Sequence, residues 1–280
     1  MSDSSHVWFM TGCSSGFGHA LAEAALLAGD LVIATARNRA DLEMLEHVGA
    51  GRCQIMALDV TQPEQVKTVI REAQAVWGKL DVVVNNAGYG LLGAVEECSE
   101  KQVRRNFETN FFGPLHIIQA VAPILREQKR GHIINISAAA AIANYPGFGI
   151  YGAAKAALES MSESLRLELA GYGVKVTLVQ PGPFRTGFIG KGMERTTISE
   201  AYAGSVGKFA TYLEKVDGKQ PGDPERAAAL IVKLVHEGTA PFRLPLGKYA
   251  VKKVRDTAAA RVKELEVWEE AASKTDVPAS

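Results

Sequence analysis

The N-terminal stretch up to Ala36 constrains the fold more than any other segment. Val7–Met10 is a short apolar run that ends in Thr11-Gly12-Cys13-Ser14-Ser15-Gly16-Phe17-Gly18. From His19 to Ala28 the apolar residues recur at helical spacing, and Gly29 supplies a stop. Leu31–Ala36 is apolar again and too short for a helix bounded in this way. Strand, glycine turn, helix and strand make the first unit of a parallel sheet. The glycines let the backbone turn sharply and approach a pyrophosphate, whose charge meets the positive end of the following helix.

The alternation continues. Gln54–Leu58, Asp81–Asn85, His132–Ser137 and Lys175–Gln180 read as strands. Helices are expected over Pro63–Trp77, Glu100–Gly113, Pro114–Gln128 and Tyr151–Ala170. The unbroken apolar run of Asp81–Asn85 fits a strand covered by helices on both faces. After Pro181 the pattern weakens, and 187–218 reads as a lid-like substrate-loop insertion. Pro224–His236 is an amphipathic helix opened by an Asp223 cap and an N1 proline. Pro241–Leu246 resembles a final edge strand, and 247–280 a helical tail that frays after Glu270. No repeat or linker divides the 280 residues, so a single domain with a doubly wound α/β sheet and a small C-terminal helical lid is expected.

Bulk properties exclude other classes. The 31 basic and 31 acidic side chains cancel, which removes the global field a nucleic-acid binder would use. No apolar run is long enough to span a bilayer. No cationic segment precedes the first apolar run, so a signal peptide is not expected. Cys13, Cys53 and Cys98 are odd in number and form no CxxC pair. They read as free thiols of a reducing, cytoplasmic compartment. The six histidines show no metal-binding spacing.

The end of the second strand bears on cofactor choice. Enzymes that use NAD usually carry an acid there for the ribose 2′-hydroxyl. Ala34-Thr35-Ala36-Arg37-Asn38-Arg39 has none, and Arg37 stands where a 2′-phosphate would be held, with Arg39 as a helper. The cofactor expected is therefore NADP(H).

Tyr151 and Lys155 lie one helical turn apart and share a face. With the glycine turn, Asn85-Asn86-Ala87-Gly88, Asn110 and Pro181-Gly182, in that chain order, they form a set that resembles the short-chain dehydrogenase/reductase family over residues 7–186. Thr11–Gly18 with Ala34–Arg37 looks most like its NADP-preferring, 17β-hydroxysteroid-dehydrogenase-like branch. The resemblance implies a Rossmann-type domain in which Tyr151 gives the proton to a carbonyl oxygen in reduction and takes it back in oxidation. It implies that Lys155 lowers the Tyr151 pKa and holds the nicotinamide ribose, and that Asn110 keeps a water in the proton relay. Asp59 would touch adenine. Gly12, Ser14, Ser15, Gly16, Phe17, Gly18, Asn86, Ala87 and Gly88 would line the cofactor cleft. Pro181, Gly182 and Thr186 would hold the carboxamide end. A homodimer or homotetramer is expected, with helices around 100–128 and 151–170 at its interfaces.

The family also places a serine thirteen residues before the tyrosine, where this chain has Ala138. Ser137 is one position early and, in a strand, faces the other way unless a bulge turns it. Three explanations stand: an engineered replacement, a natural site with another donor or a changed reaction, or a local irregularity that brings Ser137 in. Leu91, Leu92, Tyr145, Phe148, Phe184 and Phe188, with Ala138, are candidate walls of an apolar substrate pocket. They suggest a hydrophobic ketone, aldehyde or alcohol, of which alicyclic or steroid-like compounds are examples. The rival function is a cofactor-binding regulator or scaffold that has lost its chemistry.

Overall fold

The structure, a computed structural model, describes residues 5–277. In chain order it runs β1 (Val7–Thr11), α1 (Gly16–Leu27), β2 (Leu31–Ala36), α2 (Glu43–Gly49), β3 (Cys53–Ala57), α3 (Pro63–Trp77), β4 (Val82–Asn85), β5 (Gly90–Leu92), α4 (Glu100–Phe107), α5 (Gly113–Gln128), β6 (Gly131–Ile136) and α6 (Ala139–Ile142). It continues with α7 (Gly149–Ala170), β7 (Val174–Pro181), β8 (Met193–Arg195), α8 (Lys208–Val216), α9 (Pro224–His236), β9 (Arg243–Leu246) and α10 (Gly247–Ser273).

Seven strands form one sheet in the order β3-β2-β1-β4-β6-β7-β9, and every pairing is parallel. The chain winds outward from β1 to β3, then returns to place β4 on the other side of β1. This is the doubly wound order, with its topological switch between β1 and β4.

Successive side chains of a strand point to opposite faces, so the central strands feed two cores. Trp8, Met10, Val82 and Val84 pack with α1 and α9, against Leu21, Leu26, Ile231 and Val232. Val7, Phe9 and Val83 pack with α3, α5 and α7, against Ile70, Val121, Leu165 and Leu169. Burial of both faces explains why these strands read as unbroken apolar runs. Asp223 caps α9 as expected, accepting the backbone N–H groups of Glu225 and Arg226.

The structure fills in two segments. The 187–218 insertion carries short elements between turns and irregular stretches. It pairs β8 with β5 in a small second sheet, and α8 packs Ala210 and Leu213 into a third apolar cluster with Tyr151. Its weak periodicity reflects short elements divided between sheet pairing and one-sided packing. The C-terminal tail acts as a cover only at its start. Of the α10 residues only Ala250 is buried, and from Ala258 onward every described residue is exposed. No described helix is long and apolar enough to cross a membrane.

Candidate active site

The glycine turn sits at the C-terminal end of β1, beside the switch point. Gly12 has φ +70°, and a Cβ there would lie 2.8 Å from the Ala87 Cα. Only glycine combines that conformation with so close a backbone approach. A Cβ at Gly18 would lie 2.3 Å from the Asn86 Nδ2. The two loops are also hydrogen-bonded together. Thr11 Oγ1 accepts from the backbone N–H groups of Asn86 and Ala87, each at 3.0 Å. Asn86 Nδ2 donates to the carbonyls of Thr11 and Gly12. Asn86 is therefore a brace between the loops.

The helix that follows begins without a side-chain cap: Ser15 is extended and makes no capping hydrogen bond. The first-turn N–H groups of α1 are thus left for a ligand, and Ser14 and Ser15 are exposed beside them. Phe17 packs edge-on against Phe184 at 5.1 Å. A Cβ at Gly16 would lie 3.4 Å from Thr186, which brings the loop after β7 over the turn. Gly182 is anchored by its N–H to the Leu246 carbonyl at 3.0 Å. This cradle suits a dinucleotide: a backbone that approaches closely and a helix that begins uncapped.

At the end of β2, Arg37 is exposed and makes no ion pair or hydrogen bond among the described residues. Arg39 is engaged with Glu46 at 3.6 Å. Asp59 is half-buried, and its Oδ1 accepts from the Thr61 N–H and hydroxyl.

The catalytic candidates meet at Gly88. A Cβ there would lie 2.6 Å from Asn110 Oδ1 and 3.3 Å from Lys155 Nζ. Asn110 lies on a π-helical turn, Glu108–Phe112, between α4 and α5, the type of local widening that recurs at functional sites. Its Nδ2 donates to the Tyr89 and Asn106 carbonyls. Its Oδ1 is buried without a protein partner. Lys155 Nζ donates to the Ile136 carbonyl at 2.9 Å. Tyr151 and Lys155 are both buried, on one face of α7.

Burial also sets the titration of both groups. It pulls the Lys155 ammonium down to about 8, against the opposing effect of the Glu159 charge. It pushes the Tyr151 hydroxyl above its ordinary value. In the chain alone, desolvation sets that direction.

The apolar wall is mixed in origin. Phe148 and Phe188 flank the Tyr151 ring, each with centroids 5.5 Å away. Ala138 belongs to the same cluster. Tyr145 stacks on Phe209 at 5.3 Å, donates its hydroxyl to Tyr249, and lies under Lys253, whose Nζ is 3.4 Å from the ring centroid. Leu91 and Leu92 are fully buried and serve as packing. Phe184 is placed apart from this group, in the cluster with Phe17, Ala24 and Leu244 on the α1/α9 side. Its bulk is taken up by Gly222, which it meets in an isolated β-bridge. Sequence reasoning missed Phe209 and Tyr249, because both come from the weakly periodic C-terminal third.

Ser137 does not reach in. Its hydroxyl donates to Glu159 Oε1 at 2.5 Å, and Glu159 also accepts both contacts of Gln180 Nε2. Separately, the scattered histidines prove partly connected. His236 Nε2 lies 2.7 Å from Asp30 Oδ2, which also accepts from Trp8 Nε1, while the His6 N–H donates to Asp30 Oδ1. This tie lies at the opposite end of the sheet from the glycine turn, where β1 and β2 begin. All three cysteines are free, and burial pushes the Cys13 and Cys53 thiols up to about 12 and about 11.

Known proteins share this organisation. A family model for short chain dehydrogenases matches residues 6–196. The chain is 38% identical over 265 residues to Oxidoreductase BOA17 of Botryotinia fuckeliana, covering 94% of this chain and 97% of the relative. It is 36% identical over 240 residues to a 3-ketodihydrosphingosine reductase of Bacteroides thetaiotaomicron, covering 85% and 86%. The crystal structure of a short-chain dehydrogenase from Streptomyces avermitilis superposes with a TM-score of 0.92 at 42% identity, over 99% of this chain and 100% of that one. With a doubly wound sheet, a glycine turn at its switch point and these relatives along almost its whole length, the chain belongs to the short-chain dehydrogenase/reductase family of oxidoreductases.

Proposed function

We propose that the chain is an NADP(H)-dependent oxidoreductase that interconverts a hydrophobic ketone or aldehyde and its alcohol. The observation that carries this reading is the meeting of Lys155 Nζ and Asn110 Oδ1 at Gly88, one helical turn from Tyr151 and next to the glycine cradle. A bound nicotinamide would supply or accept the hydride. Gly12, Gly16, Gly18 and the uncapped start of α1, with Ser14 and Ser15, would hold the pyrophosphate. Arg37 would pair with a 2′-phosphate, and Asp59 would meet the adenine. Asn86, Ala87 and Gly88 would back the ribose side, and Pro181, Gly182 and Thr186 the carboxamide.

Tyr151 gives its proton to the substrate oxygen in reduction. In the oxidative direction burial works against tyrosinate, so a cation must act on it, and Lys155 is the cation on the same helical face. The Ile136 carbonyl keeps that ammonium in place. Asn110 Oδ1 offers a buried acceptor through which a replacement proton can be relayed. Phe148, Phe188 and Tyr145 exclude water from the reacting oxygen and favour an apolar substrate. The relative named as a 3-ketodihydrosphingosine reductase agrees with a keto substrate.

A second reading, a binder with impaired chemistry, rests on Ala138, which removes the hydroxyl that would steady the substrate oxygen. The test is dinucleotide oxidation over cyclic and long-chain ketones, with NADPH and NADH compared. Turnover that prefers NADPH and apolar ketones supports the enzyme. Measurable NADPH binding with no turnover on any ketone favours the binder.

A further inference from the structure

At the end of the sheet opposite the glycine turn, three metal-ligating side chains meet from distant parts of the chain. His6 stands just before β1, Asp30 lies in the turn from α1 into β2, and His236 is the last residue of α9. A ring nitrogen of each histidine and a carboxylate oxygen of Asp30 lie within 4.8 Å of one another. Among the described residues no other three histidine, cysteine or acidic side chains come this close.

Hydrogen bonding accounts for only part of this cluster. His236 Nε2 donates to Asp30 Oδ2 at 2.7 Å, since an ionised carboxylate can only accept. His6 Nδ1 is 3.8 Å from Asp30 Oδ1, too far for a hydrogen bond. That nitrogen is buried and has no hydrogen-bond partner among the described residues. Leaving a buried polar atom unpaired is costly, so its placement beside a carboxylate points to a ligand shared between them.

The surroundings are built to hold Asp30 still. Its Oδ1 accepts from the His6 backbone N–H at 2.9 Å and its Oδ2 from Trp8 Nε1 at 2.7 Å. Arg52 Nη1 donates to the Leu26 and Asp30 carbonyls and fixes the turn. Such outer hydrogen bonds orient a ligating carboxylate. Both α1 and α9 end at this edge, and the negative end of a helix favours a cation. Asp30 is buried, whereas His236 is exposed, so an ion has a way in from solvent.

We propose that His6, Asp30 and His236 form a zinc site, with water as the fourth ligand on the open side. Two imidazoles and one carboxylate are a donor set for zinc, whereas calcium and magnesium take oxygen. Ligand atoms about 2.0–2.2 Å from zinc stand roughly 3.3 Å apart in a tetrahedral site. No pair here has to move by more than about 1.5 Å, which rotation of the two histidines supplies. On binding, zinc takes the place of the His236 Nε2 proton, which leaves to solvent. The ion would tie the start of β1, the α1–β2 turn and the end of α9 together. It would stabilise the fold without touching Tyr151 or Lys155.

The test uses the untagged full-length chain, stripped with a chelator and titrated with zinc by calorimetry and thermal melting. The wild type should bind one zinc per chain. Its Tm should rise by roughly 5 °C at zinc about 100 times Kd and fall back on adding chelator. Cobalt(II) in place of zinc should give the visible absorption of a four-coordinate ion. His236→Gln keeps an amide that can donate to Asp30 and removes the metal ligand, so it separates a zinc site from a hydrogen-bonded tie. It and His6→Gln should each weaken zinc at least about tenfold and abolish the rise in Tm, with wild-type circular dichroism and turnover in chelator. His47→Gln and Cys98→Ala should bind as the wild type does. A wild type that shows neither heat nor a Tm shift with zinc would overturn the proposal. So would undiminished binding in His6→Gln or His236→Gln, or binding lost in Cys98→Ala.

Discussion

The Ser137 hydroxyl donates to Glu159 at 2.5 Å, while Ala138 beside it packs in the cluster of Tyr151. Neighbouring positions at the end of β6 thus serve opposite sides: one braces α7 and the other packs beside Tyr151. Of the three explanations for Ala138, the one in which Ser137 swings into the site is set aside, because its hydroxyl is already committed. A serine at 138 would project where a carbonyl oxygen needs a donor. Removing one such donor typically costs about 3 kcal/mol of barrier. Ala138→Ser is therefore expected to raise kcat on ketones roughly 100- to 1000-fold. Equal rates for the two proteins would mean that another group polarises the carbonyl.

Lys155 is buried, and burial holds its ammonium at about 8, below its ordinary value. In the proposed mechanism the charged form binds the ribose hydroxyls and favours tyrosinate. Below about pH 8 the cation is present, and above it the cation is lost. The kcat/KM for the dinucleotide, which reports the free enzyme, should fall as pH rises through about 8. Lys155→Met should lower it at least about tenfold and remove this limb of the profile. A flat wild-type profile up to about pH 10 contradicts the assignment.

Arg37 is exposed and unpaired at the end of β2, whereas Arg39 is tied to Glu46. A charge-assisted contact to a 2′-phosphate is worth about 1.5–3 kcal/mol, or roughly 10- to 100-fold in affinity. Arg37→Asp should weaken NADPH binding by that factor and leave or improve NADH binding. Fluorescence titration with both dinucleotides measures it, and an unchanged preference rules Arg37 out as the selector.

Gly12 combines φ +70° with the approach of the Ala87 backbone. Gly12→Ala forces strain at the first position and separation of two hydrogen-bonded loops. The expected cost is about 1–3 kcal/mol, seen as a lower Tm and a larger loss of dinucleotide affinity. Wild-type values for both would show that the turn relaxes freely.

Burial alone would raise the Asp30 carboxyl, but hydrogen bonds from His6, His236 and Trp8 outweigh it and bring it to about 2. A carboxyl held below its unfolded value stabilises the fold above the unfolded pKa, and this contribution disappears as pH falls toward the folded one. The window here runs from about pH 4 down to about 2. Thermal melts should show a steeper acid loss in the wild type than in Asp30→Asn. Identical slopes would assign the acid sensitivity to other groups.

The sequence by itself determined the framework. The apolar runs Val7–Met10, Leu31–Ala36 and Asp81–Asn85 read as strands and fall on β1, β2 and β4, and the helical spacing of Pro63–Trp77 and Pro224–His236 falls on α3 and α9. Local chemistry made these legible, since period, cap and breaker all lie within a few positions of one another. The glycine turn and the Tyr151–Lys155 pair were legible for the same reason. Tertiary structure decided the rest. That Phe184 packs on Phe17, that Tyr249 and Phe209 close over Tyr145, and that Ser137 belongs to Glu159 depend on contacts between distant segments that no local pattern encodes. The direction of the Tyr151 pKa shift also came only from the fold, because it is set by burial, which the sequence does not display.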